Sequence, residues 1–195
     1  MRRLAMVSVS TLATAALAAS GGDHAAVITV HYETQAGNIT FDIHEEWSPL
    51  GAKRFLELIQ DGFYDNAAFF RYVPDFVVQW GLAADPKRND YSTIVDDKIG
   101  VVSNTLGTIS FATSGRNSRT TQVFVNLKNN SRLDSMGFTP FGIVTEGMDV
   151  LLDKVYSGYR EEPDQRMLRM RGEAYLERSF PKITHITKSW VRFGC

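Results

Sequence analysis

Cysteine is nearly absent from this 195-residue chain: Cys195, the last residue, is the only one. No intrachain disulfide can form, and no cysteine-based metal site can be assembled. A terminal residue is ordinarily mobile, so a catalytic thiol is not expected there. Charge excess is lacking as well. A net charge of −1 argues against general nucleic-acid binding, which needs a basic surface. The local exception, Arg166-Met167-Leu168-Arg169-Met170-Arg171, reads as a solvated face or loop. The four histidines (His24, His31, His44, His185) show no ligand spacing and read as structural or surface residues. Nothing implies a metal or an organic cofactor. Internal repeats and domain linkers are lacking too.

What is present fits one domain. A chain of this length buries a full core, and 44% hydrophobic with 22% charged residues is ordinary for a globular protein. Residues 1–19 stand apart. Met1-Arg2-Arg3, a short apolar stretch and Ala16-Leu17-Ala18 before Ala19-Ser20-Gly21-Gly22 fit a secretory signal peptide. The expected location is then secreted, periplasmic or within the secretory pathway. An Arg-, Ser- and Ala-rich segment with no acid before Asp23 also fits an organellar transit peptide, and an uncleaved anchor is a third option. The stretch is short and hydroxyl-rich for a membrane span, so residues 20–195 are expected to form one domain without membrane insertion.

Along that domain, Val27–Glu33 and Asn38–Ile43 read as a hairpin around Gln35-Ala36-Gly37. Ser48-Pro49 starts a helix, with Ser48 as N-cap and Pro49 at the first helical position; Phe55, Leu58 and Ile59 recur at helical spacing, and Gly62 stops it. Asp85–Asp97 reads as an exposed loop, Val101–Phe111 and Gln122–Leu127 as strands, Asn129-Asn130-Ser131 as a turn, and Met148–Val155 as a second helix. Tyr159–Ser179, highly charged and without clear periodicity, reads as an elaborated loop with room for a short helix. Phe180–Trp190 returns to strand. Many short strands with two isolated helices suggest a closed barrel, the helices capping its ends; closure also removes exposed strand edges.

The most informative stretch is Phe69-Phe70-Arg71-Tyr72-Val73-Pro74-Asp75-Phe76-Val77-Val78-Gln79-Trp80-Gly81. It is strand-like and apolar, yet carries an Arg and a Gln that belong to neither core nor turn. Strands alternate faces with period 2, so Arg71, Val77 and Gln79 share a parity and line one groove. A second stretch is Gly107–Gly115, leading to Thr121-Gln122-Val123-Phe124-Val125-Asn126; a third is Arg132-Leu133-Asp134, followed by Phe141-Gly142 and Glu146-Gly147-Met148-Asp149-Val150. In this order and spacing the three resemble the cyclophilin family of peptidyl-prolyl cis-trans isomerases, over roughly residues 27–190.

The resemblance implies a mainly β fold: a closed eight-stranded antiparallel barrel with a helix over each end. It implies action on X-Pro bonds in proline-containing polypeptides, as a monomer. Such a bond interconverts over tens to hundreds of seconds against an amide-resonance barrier of about 18–20 kcal/mol. Rotation localises the lone pair on the prolyl nitrogen. A catalyst needs an apolar pocket for the ring, a donor aimed at that nitrogen and groups that grip the flanking peptide. Arg71 matches the donor, with a rigid, permanently charged fork. Gln79 matches the residue that steadies it and meets substrate backbone. Phe76, Val77, Phe124 and Leu133 match the proline pocket, and Phe138 stands near the position of the family's pocket His. Ala112, Thr113 and Gln122 match positions beside the peptide.

The chain also departs from the family pattern. Val77 stands where a larger Met is common, Thr113 where Asn is usual, and Ser114 where Ala is usual. Asp75 replaces a common Gly after Pro74, Arg116 a common Pro, and Thr120 a common Gly. Arg132 stands where many members carry a Trp that binds the cyclosporin class, so weak cyclosporin binding is expected. Two other readings compete with the enzyme. A binding module would keep the groove for proline-containing peptides without turnover, and a lipocalin-like carrier would need an open lumen, which the dense apolar runs disfavour.

Overall fold

The computed structural model describes residues 27–192. Residues 1–19, read above as a targeting segment, together with His24 and Cys195 lie outside the described residues. Eight strands form one antiparallel sheet: β1 (Ile28–Thr34), β2 (Gly37–Ile43), β3 (Arg71–Val73), β4 (Val77–Trp80), β5 (Thr108–Phe111), β6 (Val123–Asn126), β7 (Pro140–Glu146) and β8 (Ile186–Arg192), in the order β3-β4-β6-β5-β7-β2-β1-β8. Its alternation sends Val30, Tyr32, Ile39, Phe41, Ile43, Val78, Trp80, Ile109, Phe111, Val123, Val125 and Phe141 into a common core. Aromatic rings interlock there: Tyr32 meets Phe41 at 5.0 Å, Phe55 meets Phe141 at 4.9 Å and Phe69 meets Trp80 at 5.3 Å. Offset and edge contacts of this kind add to the burial of large apolar areas.

The expected closed barrel is corrected to a curled, open sheet. The edge strands β3 and β8 form no ladder. The chain ahead of them comes close, through one bridge between Ala68 and His185, with Asn66 N–H donating to Ile186 O (2.7 Å) and Phe69 N–H to Thr184 O (3.0 Å). Beyond the bridge β3 diverges, and its Tyr72 N–H donates instead to the carbonyl of Arg160 (2.9 Å). The edge is covered by a different segment, which meets the same need to satisfy exposed strand groups.

Helix α1 (Pro49–Gln60) has Pro49 in its first turn and buries Ala52, Phe55, Leu56, Leu58 and Ile59. Ser48 occupies the N-cap position but its side chain does not cap. The capping group is Asp97, which accepts from the N–H groups of Leu50 (3.0 Å) and Gly51 (2.9 Å) and from the Ser48 hydroxyl (2.5 Å). A carboxylate at a helix N-terminus satisfies orphan donors and complements the helix dipole. Asp97 also pairs with the buried Arg119 at 3.0 Å. Burial disfavours its ionised form, but these hydrogen bonds and the Arg119 charge outweigh burial and hold its pKa below the usual value. The end of the segment read as an exposed loop is therefore a clamp.

Four other expectations shift. Strand β5 begins only at Thr108, because Asn104 is drawn into a buried polar network described below. The second helix is a single π-type turn, Val150–Lys154, burying Val150 and Leu151 while the Leu151 and Leu152 carbonyls accept from the Tyr72 hydroxyl (3.1 Å each). The charged segment 159–179 holds two short helices, α2 (Gln165–Arg171) and α3 (Glu173–Ser179). Their Leu168 and Leu176 join Phe180, Ile183, Leu82, Ala68 and Phe70 in a second apolar cluster. Strand β8 starts late, at Ile186, because Phe180 and Ile183 are committed to that cluster. Among the described residues no helix is long and apolar enough to cross a membrane.

Candidate active site

Strands β3 and β4 are joined by a tight turn in which Asp75 adopts the left-handed conformation (φ 55°) and Phe76 N–H donates back to Val73 O (3.1 Å). The resulting register sets Arg71 opposite Gln79 and Val73 opposite Val77. Gln79 in turn lies opposite Phe124 of β6. The shared parity read from the sequence is thus realised across three strands.

A groove of about 660 Å³ opens on this face. Its lining holds Arg71, Phe76, Val77, Gln79, Ala112, Thr113, Gln122, Phe124, Leu133 and Phe138, so all ten residues expected at the site come together. At one end Val77, Phe124 and Leu133 are buried in a cluster distinct from the main core, with Phe76, Ala112 and Phe138 packed on it. Phe138 meets Phe124 edge-on at 5.6 Å. Together these side chains make an apolar pocket at that end of the groove.

A polar chain runs beside the pocket. Arg71 Nη1 donates to Gln79 Oε1 (3.1 Å), and Gln79 Nε2 donates to Gln122 Oε1 (2.7 Å). Gln79 spends its carbonyl on the guanidinium and its amide on Gln122, which leaves the Gln122 amide N–H groups outside this chain of contacts. On the opposite edge of the fork, Arg71 Nε donates to Glu161 Oε1 at 2.7 Å, and Nη2 lies 2.7 Å from the same oxygen. One N–H on Nη1 and one on Nη2 lie outside these contacts. Both Arg71 and Arg132 approach the Phe76 ring, at 5.9 and 4.8 Å from its centre.

The side chain of Thr113 turns into its own loop, bonding Ser118 Oγ (2.8 Å) and the Gly115 carbonyl. At this position, groove contacts fall to the backbone. Arg54 ties the same loop to α1, donating to Thr120 O (3.2 Å) and Ser92 O (2.8 Å).

The loop carrying Leu133 and Phe138 rests on side chains that sequence reasoning did not single out. Asn104 Nδ2 donates to Asp134 Oδ1 and to the Phe138 carbonyl, at 2.8 Å each. Asn126 Nδ2 reaches Asn104 Oδ1 (3.2 Å), and Asn130 Nδ2 reaches Phe76 O (2.8 Å) and Asn126 Oδ1 (2.9 Å). Buried amides of this kind hold position only when their partners are complete. Burial raises the Asp134 pKa, but bonds from Ser103 and from the Asn104 backbone and side chain prevail and hold it below the usual value.

The far end of the groove is lined by Ser114, Ser118, Thr120, Gln165 and Arg169. Gln165 and Arg169 come from α2, so the Arg-rich run is not only a solvated face. The signal available was Pro163-Asp164, a helix start whose Asp164 caps α2 by accepting from Met167 N–H (2.9 Å).

The fold has known counterparts. A crystal structure of a cyclophilin-type isomerase from Cryptosporidium parvum superposes with a TM-score of 0.66 at 20% identity, covering 87% of this chain and 100% of that one, an agreement of fold. A second structure of that protein, with a TM-score of 0.65 at 20% identity, was determined in the presence of the dipeptide Ala-Pro and covers 85% of this chain and 99% of that one. Peptidyl-prolyl cis-trans isomerase A of Dickeya dadantii is 36% identical over 129 residues, 63% of this chain and 67% of that protein. A peptidyl-prolyl cis-trans isomerase of Acinetobacter baylyi is 32% identical over 140 residues, 65% of this chain and 70% of that protein. The model of the cyclophilin type peptidyl-prolyl cis-trans isomerase/CLD family matches residues 28–171. By fold, by sequence and by that match, this chain belongs to the cyclophilin-type peptidyl-prolyl cis-trans isomerases.

Proposed function

We propose that the groove accelerates cis–trans rotation about X-Pro bonds in exported or compartmentalised polypeptides during their folding, with Arg71 donating to the prolyl nitrogen. The observation that carries this reading is the state of the guanidinium. It lines the same groove as the apolar pocket, braced by Gln79, with N–H groups outside its internal contacts. The proline ring sits among Val77, Phe124, Leu133 and Phe138, while Gln122 and the Ala112–Thr113 backbone hold the flanking peptide. In the planar ground state the prolyl nitrogen is a poor acceptor. As the bond twists, its lone pair localises, and the bond from Arg71 strengthens. An interaction that grows only toward the transition state raises the rate rather than the affinity. No proton transfer or covalent intermediate is required.

The test is cis-to-trans relaxation of a short Ala-Pro peptide with the full chain and with Arg71→Ala. A loss of about 100-fold or more in kcat/KM, with peptide binding retained, is the expected outcome. Unaccelerated relaxation by the folded wild-type chain would leave a peptide-binding module instead.

A further inference from the structure

We propose that Glu161 is a positioning residue for Arg71, supplied by the segment that elaborates this chain between the π-type turn and β8. The inference rests on the reading of Arg71 as the donor.

Residues 157–162 form a compact turn: Arg160 N–H donates to Ser157 O (3.2 Å) and Glu162 N–H to Tyr159 O (2.8 Å). The Arg160 carbonyl takes the edge N–H of Tyr72, next to Arg71 (2.9 Å). Arg160 itself is left-handed, with φ 48°, a conformation that costs a non-glycine residue energy and persists where the surroundings enforce it. The turn thereby sets Glu161 against the Nε–Nη2 edge of the guanidinium, at 2.7 Å from both nitrogens.

Gln79 holds Nη1, so the fork is gripped from two sides. A long side chain on a three-residue edge strand otherwise keeps much of its rotamer freedom. The carboxylate also offsets a local excess of positive charge, because Arg132 shares the Phe76 ring with Arg71 and Arg169 lines the same groove. The Glu161 side chain is 57% exposed and that of Arg71 26%. A solvent-screened pair of this kind adds little to stability. Its consequence is orientation: the two N–H groups outside these contacts keep one direction relative to the proline pocket.

The experiment compares Glu161→Ala, Glu161→Gln, Arg71→Ala and the double variant, all in the full chain, in kcat and KM for the Ala-Pro peptide. Hydrogen exchange of the Arg71 Nε–H is followed by NMR alongside. Glu161→Ala is expected to lower kcat about five- to tenfold with KM within about twofold, and to speed exchange at Nε. Glu161→Gln, which retains an acceptor, recovers most of the rate. In the Arg71→Ala background Glu161→Ala should add nothing. Unchanged or faster turnover in Glu161→Ala, with Arg71→Ala still inactive, overturns the positioning role and leaves the reading of Arg71 intact. An equal loss in both backgrounds also overturns it, since the effect would not pass through Arg71. If Arg71→Ala itself turns over normally, the donor reading fails and this inference falls with it.

Discussion

Asp134 Oδ1 accepts from both the backbone N–H and the side-chain amide of Asn104, at 2.8 Å each, and so pins the loop that carries Leu133 and Phe138 to the loop that leads into β5. Ser103 donates to the other carboxylate oxygen (2.5 Å). All three bonds are strongest to the ionised form.

A pH dependence follows. The folded-state pKa of Asp134 lies below the usual value, so the folded state favours the carboxylate. Its contribution is complete above the ordinary Asp range near pH ~4 and is lost as pH falls through the depressed folded value. Denaturant titrations from pH 6 to pH 2 should show wild-type stability declining in that acid window. Asp134→Asn should be less stable at pH 7 by about 1–2 kcal/mol with a shallower acid decline, the remaining slope reflecting Asp97, which shifts the same way. An unaltered slope in the variant would refute the linkage.

Cyclosporin-class ligands are expected to bind weakly. The Arg132 guanidinium lies 4.8 Å from the centre of the Phe76 ring and offers such a ligand a hydrated cation in place of an indole face. Arg132→Trp should tighten binding by at least about tenfold, a change of about 1.4 kcal/mol, as read by isothermal titration. Equal affinity in both proteins would show that residue 132 does not govern recognition.

Gly172 joins α2 to α3 at φ 56°, ψ −139°, a region essentially confined to glycine. A Cβ there would strike the Ala84 carbonyl oxygen and Pro86. Gly172→Ala should therefore cost roughly 2–3 kcal/mol and loosen the docking of α2 that sets Gln165 and Arg169 at the groove. A wild-type melting temperature, together with unchanged protease resistance across residues 159–180, would contradict this.

One edge of the groove was legible because Arg71, Val77 and Gln79 sit in strands, where period 2 puts them on one face whatever the barrel does. The hairpin β1–β2 and helix α1 were legible for a similar local reason. Residues outside strands, such as Ala112, Leu133 and Phe138, were legible only through the family resemblance. The partners that complete the site were not. Glu161 lies 90 residues from Arg71, and nothing near either residue announces the meeting. Segment 159–179 looked featureless because Leu168 and Leu176 are sparse anchors among charges; their apolar partners Leu82, Phe70 and Phe180 lie on other elements. The apolar run at Val101–Phe111 suggested a strand, but the polar needs of Asp134 and Asn126 claim Asn104. The sheet stays open because edge protection has more than one solution, and here the Arg160 carbonyl meets the Tyr72 N–H of the edge strand.

The apolar pocket of the groove, the main core and the α2–α3 docking cluster share no buried residue. Evolution can therefore explore the three separately. Substitutions at Val77, Phe124 or Leu133 would reshape that pocket while the scaffold keeps its fold. Helices α2 and α3 could diverge without disturbing the pairing of β3 to β4.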